Sequence, residues 1–286
     1  MSNLFSGLDA ANATTKREQL IKPAFAYPGG KTKNFANILP HLPYRNSYIE
    51  PFGGSAAILL ARDKSKVETY NDRHSGVVDF YKCVRDAELL KRLIDRIDMT
   101  SVAREEFRYA KDHWEAAADP VERAALWFTM TRLSFSSKGV CFGRTLKQPR
   151  VNPLSSKIPA FWPIHERFKN VQVENQDWSR ILEDFDDYGA VFYLDPPYLS
   201  ASKGIYKFEM SESDHVRMLN MVMDTKGFVA ISGYPNELYD SYKWTDRVGY
   251  NIRCMMNGFA TNDNGKDVTT TGTSDRTEVL WIKEAK

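Results

Sequence analysis

The stretch that most restricts this chain is Val191-Phe192-Tyr193-Leu194-Asp195-Pro196-Pro197-Tyr198. Its apolar, partly β-branched and aromatic start reads as a buried strand of a parallel sheet. Two prolines then end the strand and fix the backbone. An acid and an aromatic are therefore held just past a strand's C-terminal end, where open α/β sheets bind their ligands.

Two further turns of the same kind lie upstream. Phe25-Ala26-Tyr27-Pro28-Gly29-Gly30-Lys31 places paired glycines where backbone can approach a ligand, and a helix with Phe35, Ile38 and Leu39 at core spacing follows. Ser47–Glu50 reads as a short strand, and Pro51-Phe52-Gly53-Gly54-Ser55 turns it into a helix over 56–62. A glycine-rich strand-to-helix turn exposes backbone N–H groups at a positive helix end, which suits a carboxylate or phosphate. Val67–Asn71 reads as the next strand, with Asp72 at the position where nucleoside-binding folds hold ribose hydroxyls. Strand, glycine turn, helix, strand and acid in this order point to a nucleoside ligand, with a tight turn and a capping Asp72 as the plainer reading.

Helical spacing then runs through residues 73–135, and Asp119-Pro120-Val121-Glu122 is a helix start that launches 123–135. Residues 136–157 read as a basic hairpin or long loop. From Arg123 to His165 there is no Asp or Glu, although at 37 acids in 286 residues about five or six would fall there. Lys138, Arg144, Lys147 and Arg150 lie in this stretch, while Glu174 to Asp195 reverses the balance. Charge segregated in this way fits a polyanion-binding face beside a neutral body, against the plainer reading of a solvated loop. Strands follow at 171–173 and 227–232, with helices at 178–185 and 211–222. Residues 199–207 read as a lid, 248–256 and 277–282 as a closing strand pair, and the Thr-rich 258–275 as disordered without a partner.

Composition closes several classes. No apolar run approaches the roughly 18 residues of a membrane span, and residues 1–22 read as a polar tail without a signal core. Cys83, Cys141 and Cys254 are odd in number and far apart, which fits a reducing cytoplasm. The five histidines stand apart, so no metal is expected. A nicotinamide oxidoreductase fails for want of a full G-x-G-x-x-G after the first strand.

With these motifs in this order, the chain resembles the Dam-type (D12 class, alpha-group) N6-adenine DNA methyltransferases. The resemblance rests on residues 25–31, 48–55, 70–72, 175–177, 195–198 and Arg276-Thr277-Glu278-Val279-Leu280-Trp281. It implies an α/β fold: a Rossmann-like S-adenosylmethionine-dependent sheet with helices on both faces, formed by 23–72 and 171–286. A mainly helical target-recognition domain carrying a basic hairpin or loop would be inserted at 73–170. It further implies methyl transfer to the N6 amine of a flipped-out adenine in a specific duplex DNA sequence, without metal or obligate protein partner. Asp195, Pro196, Pro197 and Tyr198 match the catalytic corner. Tyr27, Gly29, Gly30, Lys31, Glu50, Pro51, Phe52, Gly53, Gly54, Ser55, Asp72, Asp177 and Asp195 match the cofactor site, and Lys138, Arg144, Lys147 and Arg150 become the DNA contacts. Ala56 replaces a glycine common in relatives and is expected to take a helical φ. Ala26, Ser137-Lys138-Gly139 and Phe142 depart from the residues that read GATC, so that target is not implied. RNA adenine, another planar amine such as a glutamine amide, or a silent DNA-binding fold remain open on the residues alone.

Overall fold

The computed structural model describes residues 20–137, 139–143, 152–199, 208–261 and 267–286, with backbone alone for 136, 253–261 and 267–275. Among them, seven strands form one sheet: β1 (Ser47–Glu50), β2 (Val67–Asn71), β3 (Gln172–Glu174), β4 (Ala190–Leu194), β5 (Phe228–Gly233), β6 (Asp246–Thr261) and β7 (Asp267–Lys283). Their order is β3-β2-β1-β4-β5-β7-β6. The first five are parallel, and β7 is antiparallel to both neighbours. The helices are α1 (Phe35–Ile38), α2 (Ala57–Ala61), α3 (Ser75–Arg85), α4 (Ala87–Asp98), α5 (Arg104–His113), α6 (Pro120–Leu133), α7 (Phe161–Phe168), α8 (Trp178–Asp184), α9 (Glu212–Asp224) and α10 (Glu237–Asp240).

The two-residue period of the strands sorts their side chains into two cores. Tyr48, Tyr70, Val191, Tyr193 and Ala230 point into a cluster with Val77, Phe80, Tyr81, Trp127, Phe128, Ile164 and Phe168 of α3, α6 and α7. Ile49, Phe192, Leu194, Val229 and Ile231 face Trp178, Ile181, Met218, Leu219 and Val222 of α8 and α9. All of β4 and β5 is buried, as their unbroken apolar runs require. The result is a sheet with helices on both faces, as the sequence implies.

Chain direction places the site. β1 leads outward through β2 to β3, and the chain then returns to add β4 on the opposite side of β1. The order therefore reverses between β1 and β4, and the crevice at their C-terminal ends is the ligand position of such sheets. Ile49 is level with Phe192 across that seam, so Glu50 and Asp195 both emerge at the same edge.

Local signals explain most boundaries. Asp119 caps α6 and accepts from Val121 N, and Pro120 takes the first helical position, so the helix begins three residues before the expected Arg123. Ser211 and Asp214 form a reciprocal capping box at α9. Past α6 the chain turns back on itself, with Gly143 N donating to Leu133 O at 2.7 Å and Ser134 bridged to Phe142. A buried ion cluster ties α7 to the sheet: Arg167 donates to both Glu68 oxygens and to Leu59 O, while Arg62 lies 3.5 Å from Glu68 and 3.8 Å over the Tyr48 ring.

Two expectations are corrected. The stretch expected to be disordered, 258–275, continues the closing strands on both sides: β6 and β7 pair from Asp246↔Ile282 to Thr261↔Asp267. Its threonines are β-branched and favour extended backbone, which outweighs their polarity. Residues 262–266 lie outside the described residues, as do 1–19 of the tail and 200–207 of the lid. Ala56 is not helical but left-handed, at φ 55 and ψ 30. The turn closed by Ala56 N donating to Gly53 O at 2.7 Å holds it there, at a cost of order 1–2 kcal/mol for a residue with a Cβ.

Candidate functional site

Five segments converge on one cleft of about 1070 Å³, counting its open mouth: the 27–31 loop, the β1–α2 turn, and the ends of β2, β3 and β4. Of the residues expected to hold a cofactor, Tyr27, Gly30, Lys31, Glu50, Pro51, Phe52, Gly53, Gly54, Ser55, Asp72, Asp177 and Asp195 line it. Gly29 does not, and serves it indirectly through its carbonyl. Of the proposed catalytic corner, Asp195 and Pro197 line the cleft, whereas Pro196 and Tyr198 stand beside it.

The turn after β1 is shaped by its neighbour β2. A Cβ on Gly53 would lie 2.1 Å from Tyr70 Cε2, so only glycine fits there. Gly54 adopts φ 49 and its amide donates to Asp72 Oδ2 at 2.8 Å, while its carbonyl accepts from Tyr70 Oη at 2.6 Å. His74 N donates to the other Asp72 oxygen at 2.7 Å. Burial still pushes the Asp72 carboxyl up, to about 6, against the pull of these two amides. Glu50 is more extreme: burial raises it to about 8, although Tyr48 Oη donates to it at 2.7 Å and Arg62 lies near.

At the far end, Asp177 caps α8 and accepts from Ser179 N at 3.1 Å and Ser179 Oγ at 2.7 Å. Arg217 lies 3.3 Å and Arg73 3.7 Å from its two oxygens. Burial acts to raise this carboxyl, and the Ser179 bonds and arginines outweigh it, so it sits below the usual carboxylate range. Trp178 packs with Phe52 at 6.3 Å and 28° and carries the Arg217 guanidinium 4.7 Å from its ring.

The corner itself is built on an ion pair that no local pattern announces. Lys31 Nζ donates to Asp195 Oδ1 and Oδ2, both at 2.7 Å, and to Gly29 O at 2.8 Å. Ser232 Oγ at the end of β5 donates to Asp195 Oδ1 at 2.8 Å. Lys31 is almost fully buried, with its ammonium 5.0 Å from the Tyr198 ring centroid. Tyr198 meets Tyr234 edge-on at 4.7 Å. Its hydroxyl is buried and has no hydrogen-bond partner.

Sequence reading missed Gln176, Trp178, Tyr193, Phe208, Met210 and Arg217 of the lining. Gln176 and Trp178 adjoin a residue that was found; Arg217 is one of many polar residues on a helix and carries no signal. Lys138, Arg144, Lys147 and Arg150 lie outside the described residues. Among the described residues no group of three or more His, Cys, Asp or Glu gathers as metal ligands do, and no helix is long and apolar enough to cross a membrane.

A nucleoside bearing a sulfonium and an α-ammonium needs a carboxylate for its ribose, a flat apolar slot for its base and an anion toward its cationic end. Asp72, the Phe52–Trp178 pair and Asp195 meet those needs within one cleft.

The sequence profile of the D12 class N6 adenine-specific DNA methyltransferases matches residues 27–248. Type II methyltransferase M.CviBI of Paramecium bursaria Chlorella virus NC1A is 22% identical over 241 residues, which cover 79% of this chain and 89% of that protein. DNA adenine methylase of Escherichia coli (strain K12) is 24% identical over 183 residues, covering 62% of this chain and 64% of that protein. Retron Ec67 DNA adenine methylase of Escherichia coli is 25% identical over 211 residues, covering 68% and 70%.

Proposed function

The chain belongs to the D12 class N6 adenine-specific DNA methyltransferases, and from that premise we propose how its residues divide the work of methylating adenine N6 at the expense of S-adenosylmethionine. The observation that carries the proposal is Asp195, fixed between Lys31 and Ser232 at the C-terminal edge of β4 and opening onto a cleft fitted for a nucleoside.

Asp72 holds the ribose hydroxyls, and Asp177 together with the Phe52–Trp178 wall takes the cofactor's adenine. Glu50, Tyr27 and the glycines of the two turns line the methionine end. When bound there, S-adenosylmethionine supplies an electrophilic methyl group on a positively charged sulfur. The exocyclic amine of a target adenine is a weak nucleophile because its lone pair is delocalised into the ring. Asp195 and the Pro196 carbonyl accept its two N–H bonds and favour a tetrahedral nitrogen. The prolines keep these acceptors from reorganising, which is what stabilises developing positive charge. Holding amine and methyl group in line contributes on the order of 7–11 kcal/mol. Tyr198 stacks on the flipped base, returning about 1–3 kcal/mol of the cost of leaving the duplex.

In this reading residues 73–170 form the target-recognition segment and 23–72 with 171–286 the catalytic one. Lys138, Arg144, Lys147 and Arg150 contact phosphates, and the chain acts in the cytoplasm without an obligate protein partner. Replacing Arg144, Lys147 and Arg150 by Ala together lowers the salt slope of duplex binding by about 2–3; an unchanged slope removes them from the interface.

The deciding experiment incubates the purified chain with labelled S-adenosylmethionine and mixed-sequence duplex DNA, then quantifies N6-methyladenine by mass spectrometry. Asp195→Ala should abolish the product while cofactor affinity stays within a few-fold. A variant that still methylates removes Asp195 from its role.

A further inference from the structure

Lys31 occupies the Asp195 carboxylate, one of the two acceptors that an incoming amine needs. Asp195 Oδ1 already takes bonds from Lys31 and Ser232, and Oδ2 takes one from Lys31. Lys31 is 3% exposed, so it cannot yield its place by turning to water. An ammonium displaced inside the protein needs another anion close by.

One buried carboxylate meets that need. Glu278 stands on β7 one residue beyond the Gly233↔Val279 pair that ends the β5–β7 ladder, beside the strand that carries Ser232. It is 4% exposed and directly opposite Tyr250, whose hydroxyl donates to Glu278 Oε2 at 3.0 Å. Its carboxyl is raised by burial, and the largest opposing influence is Lys31. Glu50, a buried acid that lines the cleft, answers instead to Tyr48 and Arg62. The Tyr198 ring lies under Lys31, and its buried hydroxyl has no hydrogen-bond partner.

We propose that Glu278 is a positioning residue for methyl transfer, receiving the Lys31 ammonium when the target adenine takes its place on Asp195. The inference rests on Asp195 being the acceptor for the target amine. Glu278 touches neither base nor methyl group; it pairs the displaced ammonium and frees an Asp195 oxygen for the adenine. Tyr250 holds the carboxyl through its hydroxyl.

The test compares wild type with Glu278→Gln, Glu278→Asp and Tyr250→Phe in single-turnover methylation of mixed-sequence duplex DNA. Wild-type product is scored first, so failure of the methylation reading itself is seen separately. Glu278→Gln should slow the methyl-transfer step about 10- to 100-fold, the scale of a misplaced reacting group, with cofactor affinity within about two-fold. Glu278→Asp should recover part of the rate, and Tyr250→Phe, which keeps the carboxylate, should fall between. If Glu278→Gln does not fold, the aspartate and phenylalanine variants carry the comparison. Wild-type rates in the variants, or a slowing matched by equal loss of cofactor affinity, overturn the proposal. A crystal structure of wild type with duplex DNA and an unreactive cofactor analogue gives the second reading. Lys31 hydrogen-bonded to Glu278 is expected; Lys31 still on both Asp195 oxygens with the base in the corner overturns it.

Discussion

Gly53→Ala is the sharpest single perturbation of the cleft. The added methyl would meet Tyr70 at 2.1, 2.5 and 2.8 Å. Ordinary carbon contacts need about 3.5 Å, so one side must yield by about 1.4 Å. Tyr70 cannot yield cheaply: it is fully buried, bonded to Gly54 O at 2.6 Å, and packed between Tyr81 at 4.9 Å and Phe168 at 5.7 Å. Gly53 is pinned too, its amide donating to Asn71 O at 2.7 Å and its carbonyl accepting from Ala56 N at 2.7 Å. Overpacking costs about 1–3 kcal/mol, and a Tyr70 hydroxyl torn from its carbonyl adds about 1–3 kcal/mol. At about 2–4 °C per kcal/mol, a combined cost of about 2–6 kcal/mol should lower the melting temperature by roughly 4–24 °C. Cofactor affinity, measured by calorimetric titration, should fall with it because the turn lines the cleft. In a Tyr70→Leu background the same Gly53→Ala change should cost under about 1 kcal/mol, since the clashing ring is gone. A Gly53→Ala variant melting within about 1 °C of wild type, or a penalty undiminished in the Leu background, would refute the steric argument.

Three other outcomes follow from the same geometry. Glu50 keeps its proton to about pH 8 in the fold but only to about 4.5 when unfolded. Its contribution to stability is thus complete below pH 4.5 and lost as pH rises to about 8. Glu50→Gln should therefore gain on wild type between pH 5 and 8, by up to about 1.4 kcal/mol per pH unit; parallel urea-melt stabilities at both pH values would sink this. Asp72 sits at about 6, so cofactor affinity should drop as pH falls through that value, and Asp72→Asn should weaken binding about 10- to 100-fold and flatten the pH dependence. Arg167→Met strands Glu68 in the core and should cost about 3–5 kcal/mol, read as a lowered denaturation midpoint; a midpoint like wild type would show that the Glu68 charge is met elsewhere.

What was legible in the sequence is what short-range chemistry dictates. β2 appears with the bounds that its apolar, β-branched residues suggest, and α6 starts where Asp119 and Pro120 say it must. The cleft residues were found because each rides on a strand-to-turn pattern. The Lys31–Asp195 pair joins residues 164 positions apart, and no window on the chain contains both. Glu278 read only as part of a motif, since burying it takes Tyr250 from the facing strand. Ala56 was misread because helical φ is the default for alanine, whereas the tight turn from Gly53 imposes the left-handed one. The Thr-rich strands were misread because polarity suggested solvent, while their pairing is mutual and needs no core.

The long β6–β7 ladder has a further consequence. β5 accompanies β7 only as far as Gly233↔Val279, yet β6 and β7 stay paired to Thr261↔Asp267. Beyond Glu278 the ribbon, as far as it is described, keeps its backbone bonds within itself, and each strand turns a row of amides and carbonyls outward. Such a segment opens independently of the sheet, so its amides should exchange with solvent well before those of β4 and β5. It is also a template for a second strand. Self-association through this ribbon would appear as concentration-dependent protection of these same amides, with the buried strands unchanged.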